Sequence, residues 1–458
     1  AKKIITQKYE IDNTVSSKIS SFFKVYRVGS ILKASNGCKS KGIAAVAIFQ
    51  YIFSLVFFNR SMYMEMMSEK RLNSFAKDAV YRFIKSANIN WLRFTTMLSS
   101  RIVNTTIEKL TDEERINVLI IDDTMFERNK SKNVELLSKV FDHANSKCRR
   151  CFRLHTLGWS DGNTFLPVNS CLLSSENMKN RFNEAEELDK RTAGHKRRVL
   201  AQTKATLVML ELIKEAIHYG IPAKHVLFDT WFCSPSSLTS IKDMGLDSIA
   251  MTKKTPKMHY QYNGEMLPVT AIYKQNRKRR GLSKYLLSVD VNVVKDKVSI
   301  PAKLVFVRNR NKKKDYLAII STDITLDENE IIRIYGKRWD IEVFFKICKS
   351  YLKLTKECRS LSYDAMTAHV AVVFTRYMML AVENRTSSDK RTLGELFYLV
   401  ADEMSDINWM QAFQMLMDAF LSTLADKLSL TSSQLEQFMD SFFEALPSST
   451  KKCLGLCI

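Results

Sequence analysis

Residues 331–350, IIRIYGKRWDIEVFFKICKS, set the tightest limit on how this chain can fold. Tyr335, Arg338, Glu342 and Lys349 stand at offsets of 0, 3, 7 and 14. On a helix those offsets confine them to an arc of about 60°. Ile341, Val343, Phe344, Phe345 and Ile347 fill the other directions. A helix that is apolar on most sides belongs inside a protein, and charges taken inside are costly unless paired. Divalent metal and phosphate would pair with one carboxylate, two permanent cations and a phenol. The alternative is a solvated face with an Arg338–Glu342 ion pair at i,i+4. A helix over about 328–352 is expected.

Upstream, two short apolar runs end in aspartate. NVLII at 117–121 runs into Asp122, Asp123 and Thr124, and HVLF at 225–228 runs into Asp229. Both read as buried strands. Residues 153–160 and 163–173 read as strands of a hairpin joined by Asp161-Gly162. A long helix is expected over 194–219, with Arg197 and Arg198 near its start and Gly220 as its stop. A helix near 234–244 and a strand near 248–252 follow. Residues 253–325 alternate in places, as at 285–293 and 304–308, and read as an all-β insertion with basic runs at 277–280 and 308–314. Strand, hairpin, helix, strand, helix, strand and a distant helix form an α/β pattern that resembles the ribonuclease H topology. It would bring Glu342 beside the two aspartates.

Three carboxylates, Asp122, Asp229 and Glu342, suit two-metal phosphoryl transfer. Mg²⁺ takes hard oxygen ligands and keeps waters, so a few carboxylates and a substrate phosphate suffice. The charge agrees with a polyanionic partner: the formal net charge is +22 over 458 residues. It is uneven. Residues 1–110 hold 18 Lys/Arg against 6 Asp/Glu, and residues 381–458 hold 6 against 11. The helical N-terminal part therefore reads as the polyanion binder. Within it, 74–94 suggests two helices broken near 86–90, a helix-turn-helix-like unit or a plain bundle with a basic face that includes Lys77 and Arg82. The Met- and aromatic-rich tail reads as helical core or as a dimer face. The apolar run at 42–58 is at the lower limit for a membrane span and contains Gln50, so a buried helix is expected and no membrane partner. Nine scattered cysteines include one lone CxxC, Cys148 and Cys151, short of the four ligands a zinc site needs.

These residues resemble the DDE transposases of bacterial insertion sequences, in the cut-and-paste group marked by a YREK signature. That signature, Y-x2-R-x3-E-x6-K, is matched at every spacing by Tyr335, Arg338, Glu342 and Lys349. IDDT at 121–124 and FDTWF at 228–232 resemble the family's first two catalytic blocks, and the likeness spans about residues 40–405. The resemblance implies a ribonuclease H-like catalytic core interrupted by an all-β insertion and flanked by helical N- and C-terminal domains. The expected division is a helical DNA-binding domain at 1–110, core at 111–252, β-rich insertion at 253–325, core with the YREK helix at 326–380, and a helical dimerisation region at 381–458.

It further implies Asp122, Asp229 and Glu342 as ligands of two Mg²⁺ ions, with Mn²⁺ an acceptable substitute. Asp122 is preferred to Asp123 because the family's block reads D-x-T/S. Arg338, Lys349 and Tyr335 would hold phosphates. From their own placement in basic helical segments, and not from the resemblance, Arg197, Arg198, Lys77 and Arg82 are read as further DNA contacts. Hairpin-forming relatives stack a flipped base on a tryptophan in the insertion. None lies between Trp231 and Trp339 here, and Tyr316 is the stand-in. The partners implied are double-stranded DNA, both inverted-repeat ends and target, and a second copy in a synaptic homodimer. The setting implied is the bacterial cytoplasm, on the nucleoid. Rival readings are a catalytically silent DNA-binding descendant and a nuclease without strand transfer.

Overall fold

The computed structural model describes residues 17–386 except 40, 58–60, 63–74, 112–114, 143–145, 281–282, 310–311 and 313–314, with a few isolated residues beyond 433. The Met-rich tail expected as core or dimer face lies outside the described residues. In chain order come helices α1 (Val28–Ala34), α2 (Ala45–Ser54), α3 (Lys77–Ile84) and α4 (Trp91–Ile102), then strands β1 (Val118–Glu127), β2 (Ser138–Asp142), β3 (Lys147–Ser160) and β4 (Phe165–Leu173). Next are α5 (Ala193–Ala201), α6 (Ala205–His218), β5 (His225–Phe228), α7 (Pro235–Asp243) and β6 (Asp247–Met251). They are followed by β7 (His259–Tyr262), β8 (Glu265–Pro268), α8 (Val269–Gln275), β9 (Tyr285–Lys295), β10 (Val298–Arg308) and β11 (Tyr316–Ser321). Helices α9 (Glu328–Gly336), α10 (Trp339–Ser350) and α11 (Tyr363–Thr386) follow, and a helical segment at 17–25 precedes α1.

One half of the sheet runs β4–β3–β1–β5–β6. β3 is antiparallel to both β1 and β4, while β5 is parallel to β1 and to β6. That order is consistent with a ribonuclease H-like sheet. The β3–β4 hairpin turns at Asp161-Gly162, as its sequence predicts, with Gly162 at φ 90°. Asp161 is buried, and its Oδ1 accepts the backbone N–H groups of Asn163 and Thr164 at 2.8 and 2.7 Å, a side-chain-capped turn.

Four expectations change. β1 does not stop at Asp122 but continues to Glu127, because β3 pairs with it residue by residue from Val118 to Glu127. The parallel neighbour β5 reaches only as far as Ile120↔Leu227, so the two strands part where the aspartates stand. The 194–219 helix is two helices. Ala201 closes the first, and its carbonyl accepts the Ser174 N–H at 2.8 Å. The insertion is not all-β: α8 lies within it. Nor is it separate, since β11 pairs with β6 and one sheet of eleven strands runs on through β10, β9, β7 and β8.

The last correction concerns the helix-turn-helix reading. α3 and α4 are separate helices, as the 86–90 break implies. However, Trp91, Phe94, Thr95, Leu98 and Ile102 of α4 are buried, and the helix packs on β4 and α11. A helix spent on the core has no face to lay in a DNA groove. The 42–58 run forms buried α2 over its described part. One helix, α11, is long and apolar enough to cross a membrane, and 94% of its most apolar window is buried among the other elements. Arg376 of α11, wholly buried, donates to the carbonyls of Phe53 and Ile52 at 2.9 and 2.6 Å and to Glu357 Oε2 at 2.6 Å. It ties the N-terminal helices to the core.

Candidate active site

The stripe-bearing helix is broken. α9 ends at Gly336, the poorest helix former short of proline, and α10 starts at Trp339. Between them Lys337, Arg338 and Asp340 take i→i−3 bonds to Ile334, Tyr335 and Lys337, a tightened 3₁₀-like turn. Lys337 anchors the break: its Nζ donates to the Ile116 carbonyl at 2.6 Å and to that of Asp161 at 3.3 Å. A Cβ on Gly162 would come within 2.9 Å of Lys337 Cε, so the hairpin turn is shaped to pass this side chain. Asp340 accepts from Ser160 Oγ at 2.7 Å. The hairpin end thus fixes the start of α10 against β1. The helix is also less buried than its composition implies. Ile341, Phe344, Phe345, Ile347 and Cys348 face the core, while Trp339, Glu342 and Val343 are exposed.

Side chains on β1 alternate in direction. Asp122 and Thr124 meet α10: Arg338 Nη1 donates to Asp122 Oδ2 at 2.8 Å, and Lys349 Nζ donates to Thr124 Oγ1 at 2.6 Å. Asp123 instead pairs with Arg153 Nη1 at 2.9 Å. Arg338 Nη1 is also 3.4 Å from Glu342 Oε1, whose side chain is 45% exposed. Asp229 follows β5 directly. Continuing the β1–β5 register sets it alongside Asp122, and its Oδ1 accepts the Trp231 N–H at 2.8 Å.

The electrostatics follow from this crowding. Burial pushes the Asp122 carboxyl up to about 7, with Asp229 and Glu342 adding to the rise and Arg338 opposing it. Burial likewise raises Asp229. The Tyr335 phenol is pushed up to about 12, first by burial. Its hydroxyl lies beside Arg338 without a hydrogen bond of good geometry among the described residues. Burial lowers the Lys349 ammonium. Burial also works against the Arg338 charge, but Tyr335 and the carboxylates outweigh it, and its pKa rises. Arg338 is thus the cation that Asp122 and Glu342 share.

Hard carboxylate oxygens, one of them desolvated enough to hold a proton near neutrality, together with an orphaned phenol, form a donor set suited to Mg²⁺ and phosphate. Among the described residues, no three His, Cys, Asp or Glu side chains are drawn close enough to hold an ion as they stand. Arg338 Nη1 instead bridges Asp122 and Glu342, at 2.8 and 3.4 Å.

Other expected site residues fall elsewhere. Lys77 and Arg82 are exposed on α3. Arg198 is 2% exposed, and its guanidinium is spent on Glu135 Oε2 at 3.0 Å and Asp364 Oδ2 at 2.9 Å. Arg197 pairs with Asp364 Oδ1 at 3.1 Å and donates to the Ile89 carbonyl. Both arginines hold α5 to α11 and present no charge to a DNA surface. Tyr316 is stacked on Tyr273 at 3.9 Å between centroids, with Phe306 at its edge and Lys254 Nζ 4.8 Å from its ring. One of its faces is therefore already taken. The residue that sequence reasoning passed over is Trp231, inside the FDTWF block itself. It is 49% exposed, and an aromatic two positions after a strand-end aspartate was the available signal.

A family model described as DDE superfamily endonuclease matches residues 47–309, more than half of the chain. The matched span includes Asp122 and Asp229 and ends before α9 and α10. A search of curated proteins gives no match.

Proposed function

Because the chain belongs to the DDE superfamily endonucleases, we propose that it is a cut-and-paste DNA transposase that binds the inverted-repeat ends of its element and moves them to target DNA. One observation carries the reading. Asp122, where β1 and β5 part, shares Arg338 with Glu342 of α10 in a partly desolvated site, and Asp229 follows β5 in register with Asp122.

Asp122, Asp229 and Glu342 are the proposed ligands for two Mg²⁺ ions, with Mn²⁺ as a substitute. Bound there, the ions would activate the attacking oxygen and stabilise the leaving one. The protein's own groups do the rest. Arg338 moves its donors from carboxylate to the scissile phosphate, where a fixed cation stabilises charge that develops in the transition state. Lys349, held by Thr124, and the unpartnered Tyr335 hydroxyl orient neighbouring phosphates. Water attacks phosphorus, the P–O3′ bond breaks, and a 3′-hydroxyl is released. That hydroxyl attacks the opposite strand to give a hairpin, which is reopened before the 3′ ends join target DNA. Two copies hold the two ends together. The work takes place on bacterial cytoplasmic DNA.

Purified protein with Mg²⁺ should nick a duplex carrying its element end and give hairpin and joined products on a denaturing gel. Nicks without hairpin or joined product would reduce the function to that of a nuclease. Binding without any cleavage would make the chain a silent descendant.

A further inference from the structure

We infer that Arg153, Lys253, Lys254, Lys278 and Arg279 form a rail for the phosphate backbone of duplex DNA, leading away from the carboxylates along one end of the sheet. The inference rests on the DNA-processing function proposed above. β5 runs straight into Asp229, and its parallel neighbour β6 finishes at the same end, with Phe228 opposite Ala250. In the antiparallel ladder beyond, β11 starts at that end, β10 finishes there with Arg308 opposite Tyr316, and β9 starts there with Tyr285 opposite Val307. Lys253 and Lys254 after β6, and the basic run 277–280 before β9, therefore emerge on the carboxylate side. The opposite ends of the same strands carry Asp247, Asp296 and Asp323.

Cations and rings alternate along this end. The Arg153 guanidinium and the Lys253 ammonium stand 5.2 and 5.4 Å from the ring centroid of Trp231. Lys254, the next residue, is 4.8 Å from the Tyr316 ring, Tyr316 is stacked on Tyr273 at 3.9 Å, and Lys278 is 4.6 Å from Tyr273. Arg279 follows, 4.2 Å from the Tyr285 ring. A solvated charge run needs no such series of rings. A ring beneath a cation restrains a long side chain before any partner arrives, and so lowers the entropy lost on binding. Arg153 and Lys254 are also tied to Asp123 and Asp315, at 2.9 and 2.5 Å. Among the described residues, Lys253, Lys278 and Arg279 form no salt bridge to a carboxylate, and their charge is left for a polyanion. The rings are spent on cations and on each other, so the occupant is held by its phosphates and not by its bases. A duplex, with phosphates outside and bases inside, meets that description.

The test uses the full chain and two fluorescent probes, a blunt duplex of about 20 base pairs and a thymidine single strand of equal length, read by anisotropy over a KCl series. Lys253→Ala, Lys278→Ala and Arg279→Ala together should reduce the salt slope on the duplex by about 2–3 units. Lys295→Ala with Lys297→Ala, at the opposite end of the sheet, should leave it unchanged. In the wild-type protein, bound duplex should protect Lys253 and Lys278 from acetylation and leave Lys295 and Lys297 reactive, as mapped by peptide mass spectrometry. An unchanged slope in the triple variant, an equal fall in the Lys295 and Lys297 variant, a fall confined to the single strand, or no protection at Lys253 and Lys278 would overturn the inference, the last without depending on a variant that folds. Mg²⁺-dependent nicking of supercoiled plasmid by the same preparation is scored separately. Its failure would count against the proposed function and leave the duplex-binding result intact.

Discussion

Asp122 carries the prediction with the most physics in it. Its carboxyl is pushed to about 7 against an ordinary value of 3.8, first by burial, and its side chain is 14% exposed. With Asp122 as the proposed metal ligand, proton and metal would compete for the same oxygens near neutral pH. With a pKa near 7, the ionised fraction is about 0.9 at pH 8 and about 0.1 at pH 6. At Mg²⁺ well below saturation, cleavage should fall about tenfold between those two pH values, and raising Mg²⁺ at pH 6 should recover it.

Stability gives a second readout. A carboxyl whose folded pKa is raised contributes stability that is fully present below its unfolded value and is lost as pH rises through the folded one. The loss spans about pH 4 to 7 and amounts to roughly 4 kcal/mol at most. With divalent ions chelated, Asp122→Asn should therefore melt above wild type at pH 8 and close to it at pH 4, by differential scanning fluorimetry. A cleavage midpoint near pH 4, a loss at pH 6 that Mg²⁺ does not rescue, or no gain from Asp122→Asn at pH 8 would refute the reasoning.

Asp229→Ala should abolish Mg²⁺-dependent cutting while gel-shift affinity for DNA stays near wild type; retained cutting would remove Asp229 from the metal site. Arg376→Leu leaves Glu357 buried without its partner and should cost about 3–5 kcal/mol in urea unfolding, a large part of which Arg376→Leu with Glu357→Leu recovers. Replacing Lys77 and Arg82 by alanine should lower the salt slope of DNA binding by about one unit per lost phosphate contact, and an unchanged slope would clear α3 of any such role. Tyr316→Ala, which removes the ring stacked on Tyr273, should cost about 0.5–1.5 kcal/mol in stability and leave the ratio of hairpin to nick on a denaturing gel unchanged.

Local rules made the β3–β4 hairpin legible, because Asp161-Gly162 states its own turn. The strand before Asp229 and α7, with Ser234 as N-cap, were legible for the same reason. What sequence did not show depends on partners far along the chain. The break at Lys337 is held by Ile116, 221 residues away. Arg197 and Arg198 look like a basic patch until Asp364, 166 residues on from Arg198, takes them inside. β1 outruns its apolar run because β3 provides a ladder beyond the buried part. Around the candidate site, the YREK spacing picked out Tyr335, Arg338, Glu342 and Lys349 as one stripe. It could not say that Arg338 rests on Asp122, since a helix offset carries no information about the strand beneath it.

The continuous sheet has a mechanical consequence. Because β11 is laddered to β6, and β6 to β5, the distal β7–β8 hairpin and the strand leading to Asp229 are parts of one beam. A load applied at the far end is transmitted as twist through six strand junctions instead of being absorbed at a swivel. Anything bound on the proposed DNA-facing insertion would therefore lie at an offset from the carboxylates set by the strands between them.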